Sequence, residues 1–353
     1  MNSILLDILA CPICQSSAFQ TKVLVGSLGD IEEGFIWCGN GHWFPIEERV
    51  LEFLPPDMQY REQRRCFQEK HVEALRACNT LQVDGDLDAG ESRDELDLIQ
   101  RQQKHFDWYA ENDTQAYDSY AAMPFWRLVD TRTFEGWNAK IQSGLSGGGG
   151  AKLLLDVGCA QGRSALMAAQ PGVRIIGFDI SKCLVRQAYS NFVRTFGPEP
   201  DHDFIVADGS RFPFRAGVFD YVLVYGVLHH LPDPRAACQE IVRVLKSRGT
   251  YFGSENNRTI FRKIFDLIQW LIPAWHEEAG TQPLIGPRDF LAWFKNTDLT
   301  VRMSTIVFVP PHMINMLGMR AGSVALAGAD GVFGHLPLLK NQGGLILVEG
   351  TKT

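Results

Sequence analysis

The run Leu153-Leu154-Leu155-Asp156-Val157-Gly158-Cys159-Ala160-Gln161-Gly162-Arg163-Ser164 decides the fold. Its apolar half has no polar break, the mark of a strand buried on both faces of a parallel sheet. The strand ends in Asp156, then in glycines spaced so that the backbone turns sharply and comes close to a ligand. From Ser164 onward, Ala165, Leu166, Ala168 and Ala169 suit a helix. Strand, glycine turn and helix make the opening of a nucleotide-binding α/β unit.

Outward from this unit the pattern repeats. Val173 to Ile180 reads as a second buried strand ending in Asp179. That acid lies about twenty residues beyond the glycine turn, where a ribose-binding carboxylate is expected. Phe204 to Gly209 is a third strand, ending in Asp208, and Phe219 to Gly226 a fourth. Val227-Leu228-His229-His230-Leu231-Pro232-Asp233-Pro234 follows, then a helix to Leu245, a turn at Gly249 and the strand Thr250–Gly253.

Two cofactors compete for such a turn. The dinucleotide spacing G-x-G-x-x-G fails, because three residues separate Gly158 from Gly162. Asp156-x-Gly158-x-x-x-Gly162 instead resembles motif I of the class I S-adenosylmethionine (SAM) methyltransferases, and residues 152–255 resemble their type 11 family throughout. Ala160 stands where those enzymes usually carry a further glycine, adding one methyl group to the turn. The resemblance implies an α/β fold: a seven-stranded, mostly parallel, Rossmann-like sheet with helices on both faces. It also implies SAM as cofactor, held by Asp156, Gly158, Cys159, Gly162, Asp179, Ile180, Asp208, Gly209 and Tyr225. Asp179 would accept both ribose hydroxyls, and Asp208 would hold the adenine amino group. The two strands still needed are Val301 to Phe308 and Gly343 to Gly350, the last antiparallel between the fifth and sixth.

Near the start, Cys11-Pro12-Ile13-Cys14 is followed by Cys38-Gly39-Asn40-Gly41-His42. The spacing C-x2-C … C-x3-H supplies three thiolates and an imidazole, the donor set of a closed tetrahedral zinc site. A segment this small lacks the core to fold alone, and a structural Zn2+ on Cys11, Cys14, Cys38 and His42 would remedy that. The ribbon resembles the zinc knuckle of rRNA guanine methyltransferases and the zinc-ribbon activator subunit of tRNA, rRNA and release-factor methyltransferases. Residues 1–56 carry two basic side chains (Lys22, Arg49) against seven acidic ones, a balance that repels phosphate. A structural or lid-supporting role is therefore expected.

The organisation expected is a zinc ribbon over 1–56, a helical connector or lid over 57–120, and a methyltransferase domain over 121–353. Insertions in that domain are expected at 256–287 and 310–340, with apolar stripes that either pack on the core or shape an apolar pocket. In the connector, residues 59–78 have helical spacing with one basic cluster, Arg61, Arg64, Arg65 and Lys70, read as a solvated face, with an RNA-facing patch as the alternative. Asp84 to Glu95 imitates a calcium loop but places Ala89 where the glycine belongs, so no calcium is expected. Tyr117-Asp118 lies in an aromatic segment that either packs on the sheet or covers the SAM pocket.

Lys and Arg number 34 against 41 Asp and Glu, a net charge of −7, so nucleic acid is an unfavoured but open partner. The most apolar stretch, Ile264 to Trp275, is interrupted by Asp266, Gln269 and Pro273 and is too short to span a bilayer. Ile8-Leu9-Ala10-Cys11 mimics a lipoprotein cleavage box, but Asp7 interrupts its apolar core; a cytoplasmic location is expected.

The function expected is SAM-dependent methyl transfer to a small, apolar metabolite, with an oxygen, nitrogen or carbon acceptor. Where that acceptor must lose a proton, His229, His230 or His276 is the candidate base. An RNA methyltransferase with a built-in zinc activator and a non-catalytic SAM-binding scaffold are the competing readings.

Overall fold

A computed structural model of the chain describes residues 3–55, 58–78, 80, 93–112, 122–146, 150–197, 202–260 and 284–353. The glycine-turn strand is β5 (Lys152–Val157), and β6 (Val173–Asp179), β7 (Asp203–Val206) and β8 (Phe219–Tyr225) lie parallel around it. On the far side β8 pairs with β9 (Leu245–Asn256), which is followed by β11 (Leu345–Lys352) and then β10 (Leu299–Ile306). β11 runs antiparallel to both neighbours, as expected of the last strand.

Each strand sends alternate side chains to opposite faces, and helices bury both sets. Leu154, Ile175, Phe204, Val206 and Leu223 pack under α5 (Pro124–Leu145), α6 (Arg163–Ala168) and α7 (Lys182–Phe196). Leu155, Val157, Ile176, Phe178, Val222 and Val224 pack under α8 (Pro234–Val244) and α9 (Pro287–Trp293). The helix starts follow from local chemistry. Ser181 caps α7 by accepting from Leu184 N, and Asp233 caps α8 by accepting from Arg235 N and Ala236 N, with Pro234 in the first turn.

Seven strands, β5 to β11, match the number expected, but the sheet has eleven. The other four are β1 (Phe19–Ser27), β2 (Asp30–Cys38), β3 (Trp43–Glu47) and β4 (Val50–Glu52), an antiparallel meander from the ribbon. β4 lies parallel to β7, with Leu51 opposite Ile205 and Glu52 opposite Val206, and Phe53 N donates to Val206 O at 2.8 Å. A second seam follows α1 (Ser3–Ile8), where Ala10 N donates to Pro213 O and Arg215 N to Ile8 O. Phe44 and Phe53 of the ribbon share one buried cluster with Phe178, Phe212 and Phe214. This supplies the core that the ribbon lacks: burying each such ring contributes roughly 1.5–3 kcal/mol.

The 59–78 region forms α2 (Arg61–Lys70) and α3 (Val72–Ala77), which bury Phe67 and Leu75 against Trp43 and Phe35. Three of its four clustered cations are engaged within the chain. Arg64 lies over the Trp43 ring at 3.6 Å, Lys70 pairs with Glu33 and Arg65 with Glu69. The connector's main element is α4 (Arg93–Asn112), docked on α7 through Gln187 Nε2 donating to Ala110 O. The 310–340 insertion forms α10 (Pro311–Phe333), broken at Gly318, and packs Ile314 and Leu326 against Phe125 and Val129 of α5. Most of the 256–287 insertion, the calcium-like loop and Tyr117-Asp118 lie outside the described residues. Among the described residues no helix is long and apolar enough to cross a membrane.

Candidate functional site

At the carboxyl ends of β5, β6 and β7, three neighbouring strands, stand Asp156, Asp179 and Asp208. Gly158 begins the turn at φ +63°, pressed against the Val227 side chain, which a Cβ would meet at 2.6 Å. Gly162 closes it at φ +84° as the N-cap of α6. Between them Ala160 also adopts a left-handed φ of +44°, where its methyl is strained by roughly 1–2 kcal/mol. The turn is held by Cys159 N donating to Phe178 O and by Gly162 N donating to Cys159 O.

Asp156 is fully buried; Ser164 Oγ donates to its Oδ2 at 2.7 Å, while its Oδ1 is buried with no partner. Burial pushes its carboxyl up to about 7. Asp179 accepts from Ala160 N and Ser181 N, each at 3.0 Å, which orients the carboxylate over the turn. Burial nevertheless raises it to about 6. Cys159, between these two acids, has its thiol pushed well up by burial, which keeps it an uncharged small residue. Asp208 accepts from Ser210 N at 3.0 Å, and the Ser210 hydroxyl is buried without a partner. Gly209 lies against Leu231. The orphaned oxygens of Asp156, just before the half-buried glycine turn, and of Ser210, two residues past Asp208, fit a polar ligand such as SAM.

The remaining sequence candidates separate into two groups. Tyr225 stands at the end of β8, and its hydroxyl donates to Asp130 of α5, which also binds Arg163 at the end of the glycine turn. Ile180 contributes its carbonyl, which accepts from Gln103 Nε2. His229 is buried, with Nδ1 2.6 Å from Glu255 Oε2. Glu255 Oε1 meanwhile accepts from Val227 N and Leu228 N. That arrangement makes Nδ1 the donor and leaves Nε2 the lone-pair nitrogen. His230 is packed edge-on against Phe106 and beside His229, and burial pushes it down to about 3. His276 lies outside the described residues.

Several residues that shape this site carry no signal in the sequence. Asp107 of α4 accepts from Ser181 Oγ at 2.5 Å, from Cys183 N, and from Tyr60 Oη at 2.8 Å. Tyr60 Oη in turn accepts from Lys182 N. Lys182 itself is buried and donates to Glu47, Glu52 and Gln63 at 2.9, 3.1 and 2.8 Å. The loop that follows Asp179 is thereby fastened to the ribbon on one side and to α4 on the other.

In the ribbon, the ligand atoms of Cys11, Cys14, Cys38 and His42 all lie within 4.8 Å of one another. Cys14 Sγ and Cys38 Sγ are 3.7 Å apart, and His42 Nδ1 is 3.6 and 3.4 Å from the sulfurs of Cys11 and Cys38. Sulfur and nitrogen ligands on one tetrahedral zinc would stand about 3.5–3.8 Å apart, so the residues fit the ion.

Residues 155–253 match the family described as Methyltransferase domain, and residues 2–48 match the Trm112p-like protein family. An uncharacterised chloroplastic methyltransferase of Arabidopsis thaliana is 34% identical over 125 residues, covering 34% of each chain. A ubiquinone biosynthesis O-methyltransferase of Pseudomonas fluorescens is 27% identical over 158 residues, 43% of this chain and 66% of that one. The chain thus spans between a third and two thirds of the length of these curated relatives. Magnesium protoporphyrin IX methyltransferase of Synechocystis PCC 6803 superposes with a TM-score of 0.49 at 14% identity, over 70% of this chain and 97% of that one.

Proposed function

We propose that this chain, which joins a Trm112p-like domain to a class I methyltransferase domain, transfers a methyl group from SAM to a small, apolar metabolite. The observation that carries the reading is the row of three buried acids at the ends of β7, β6 and β5, flanking the strained glycine turn. Asp179 would hold the ribose, Asp208 and Gly209 the adenine edge, and the Gly158–Gly162 turn the remainder. Bound there, SAM supplies an electrophilic methyl on sulfur.

The protein's own contribution is alignment and proton removal. Alignment of an acceptor opposite the departing sulfur, in a site closed to water, provides most of the acceleration. For a hydroxyl acceptor, His229 Nε2 would take the proton, with Glu255 fixing the tautomer and stabilising the imidazolium. An apolar acceptor is supported by relatives named for ubiquinone biosynthesis O-methylation. Zn2+ on Cys11, Cys14, Cys38 and His42 would hold the ribbon against β7 without entering the chemistry.

The test is calorimetry with S-adenosylhomocysteine. Wild-type protein is expected to bind, and Asp179→Ala to bind about a hundredfold or more weakly, the loss of two charge-assisted hydrogen bonds. No heat with the wild-type chain refutes the assignment. With an acceptor in hand, His229→Gln and Glu255→Gln are expected to lower turnover and leave S-adenosylhomocysteine affinity unchanged. Unaltered turnover in both removes His229 as the base. Methylation of tRNA or rRNA, with binding that weakens steeply with salt, would assign the chain to the RNA reading instead.

A further inference from the structure

The stretch from α10 to Lys340 has a surface unlike the rest of the molecule. Nine of the sixteen large apolar side chains exposed among the described residues lie between 313 and 338. Met316, Val324 and Leu338 are 86, 75 and 91% exposed, and Met313, Leu317 and Val332 are exposed as well. In a chain of net charge −7, this stretch presents no exposed acid. Its single acid, Asp330, is buried, accepts from Val307 N and Phe308 N, and pairs with Arg132. The exposed formal charges here, Arg320 and Lys340, are positive, and His312 and His335 share the surface.

We propose that this face docks on an anionic lipid bilayer. An interfacial segment needs apolar side chains able to enter the acyl boundary and cations at its rim to meet phosphate headgroups. Both are present, and the stretch itself exposes no acid. A second copy of the chain is the poorer partner, because it would bring the same positive rim against this one. Spanning is not involved, since the helix breaks at Gly318 and no described helix is long and apolar enough to cross. The attachment is peripheral.

The position gives the contact a use. α10 packs on α5, whose Asp130 binds both Tyr225 and Arg163 at the glycine turn. The site is thus one helix away from the lipid, the phase in which an apolar acceptor dissolves. That use rests on the methyl-transfer reading; the docking itself does not.

The test is co-sedimentation of the full chain with vesicles of phosphatidylcholine alone, or of two parts phosphatidylcholine to one part phosphatidylglycerol. Wild-type protein is expected to pellet with the anionic vesicles, less at high salt, and not with phosphatidylcholine alone. Met316→Glu combined with Leu338→Glu is expected to weaken that binding about tenfold or more. Unchanged S-adenosylhomocysteine affinity or melting temperature shows that the variant is folded, as expected for such exposed positions. Failure of the folded wild-type chain to bind anionic vesicles overturns the proposal, as does equal binding by the double variant. So does a dimer in light scattering that the double variant dissociates while vesicles are ignored. Vesicle binding without S-adenosylhomocysteine binding would refute the methyl-transfer reading alone and leave the docking face standing.

Discussion

Replacing Lys182 with Met removes the cation that joins the ribbon to the loop after Asp179. Its ammonium lies 3.1 Å from Glu52 and 2.9 Å from Glu47, with side-chain exposures of 2, 1 and 29% for Lys182, Glu52 and Glu47. At 3.1 Å and an effective dielectric of about 20, the attraction to Glu52 is about 5 kcal/mol. Burial offsets much of this while the pair is intact, but Lys182→Met leaves Glu52 charged and buried beside a methyl group. Breaking a buried pair in that way costs about 3–5 kcal/mol. Unfolding entropy for 353 residues is about 0.7 kcal/mol per kelvin, so melting should fall by roughly 4–7 °C in scanning calorimetry. Glu52→Gln should cost less, because Lys182 keeps Glu47 and Gln63, and Tyr60 N keeps its acceptor. The double variant should recover stability relative to Lys182→Met, since no charge is then stranded at position 52. A shift below about 1 °C for Lys182→Met, or a double variant no more stable than Lys182→Met, would refute this account of the junction.

The raised carboxyls predict two opposed pH effects. S-adenosylhomocysteine affinity should fall as pH drops through about 6, where Asp179 takes a proton and loses acceptor strength for the ribose; calorimetry from pH 5 to 8 measures it. The apo protein should behave the other way. Acids whose folded values lie above their ordinary ones favour the fold while protonated, and that contribution is lost as pH rises through about 6 and 7. Asp156→Asn should therefore raise apo melting temperature at pH 8, by the equivalent of a few kcal/mol at most, and make little difference near pH 4. Zinc analysis should give one ion per chain. Its removal by a chelator should lower melting by several degrees and weaken S-adenosylhomocysteine binding, because ribbon and sheet share one buried cluster.

What could be read from the amino acids was local. β5 with its glycine turn and α6 lies within seventeen residues, and Cys11, Cys14, Cys38 and His42, whose side chains converge, stand in two short spaced turns. Positions of β6, β7 and β8 followed from apolar runs, whereas the last two strands and the antiparallel course of β11 followed from the family resemblance. The features missed depend on distant pairing. Three residues, Val50–Glu52, are too few to signal a strand, and their partner β7 lies some 150 residues on. Lys182, Asp107, Asp130 and Glu255 look like ordinary surface charges until the fold sets each beside its partner. Ala160 was legible as a departure from the usual glycine, and the positive φ that the turn imposes on it is strained for a residue with a Cβ. The basic cluster of α2 shows the reverse: a run of cations read chiefly as a solvated face has three of its four members set against Trp43, Glu33 and Glu69.

The β4–β7 ladder closes a border of the sheet that would otherwise present bare amides and carbonyls to any passing strand. Because one polypeptide supplies both sides, dilution does not separate them, and the partner is always present at high local concentration. Deleting residues 3–55 would therefore do more than remove an accessory module. It would reopen an adhesive seam, and the shortened chain should be lost to aggregates before any shortfall in catalysis could be measured.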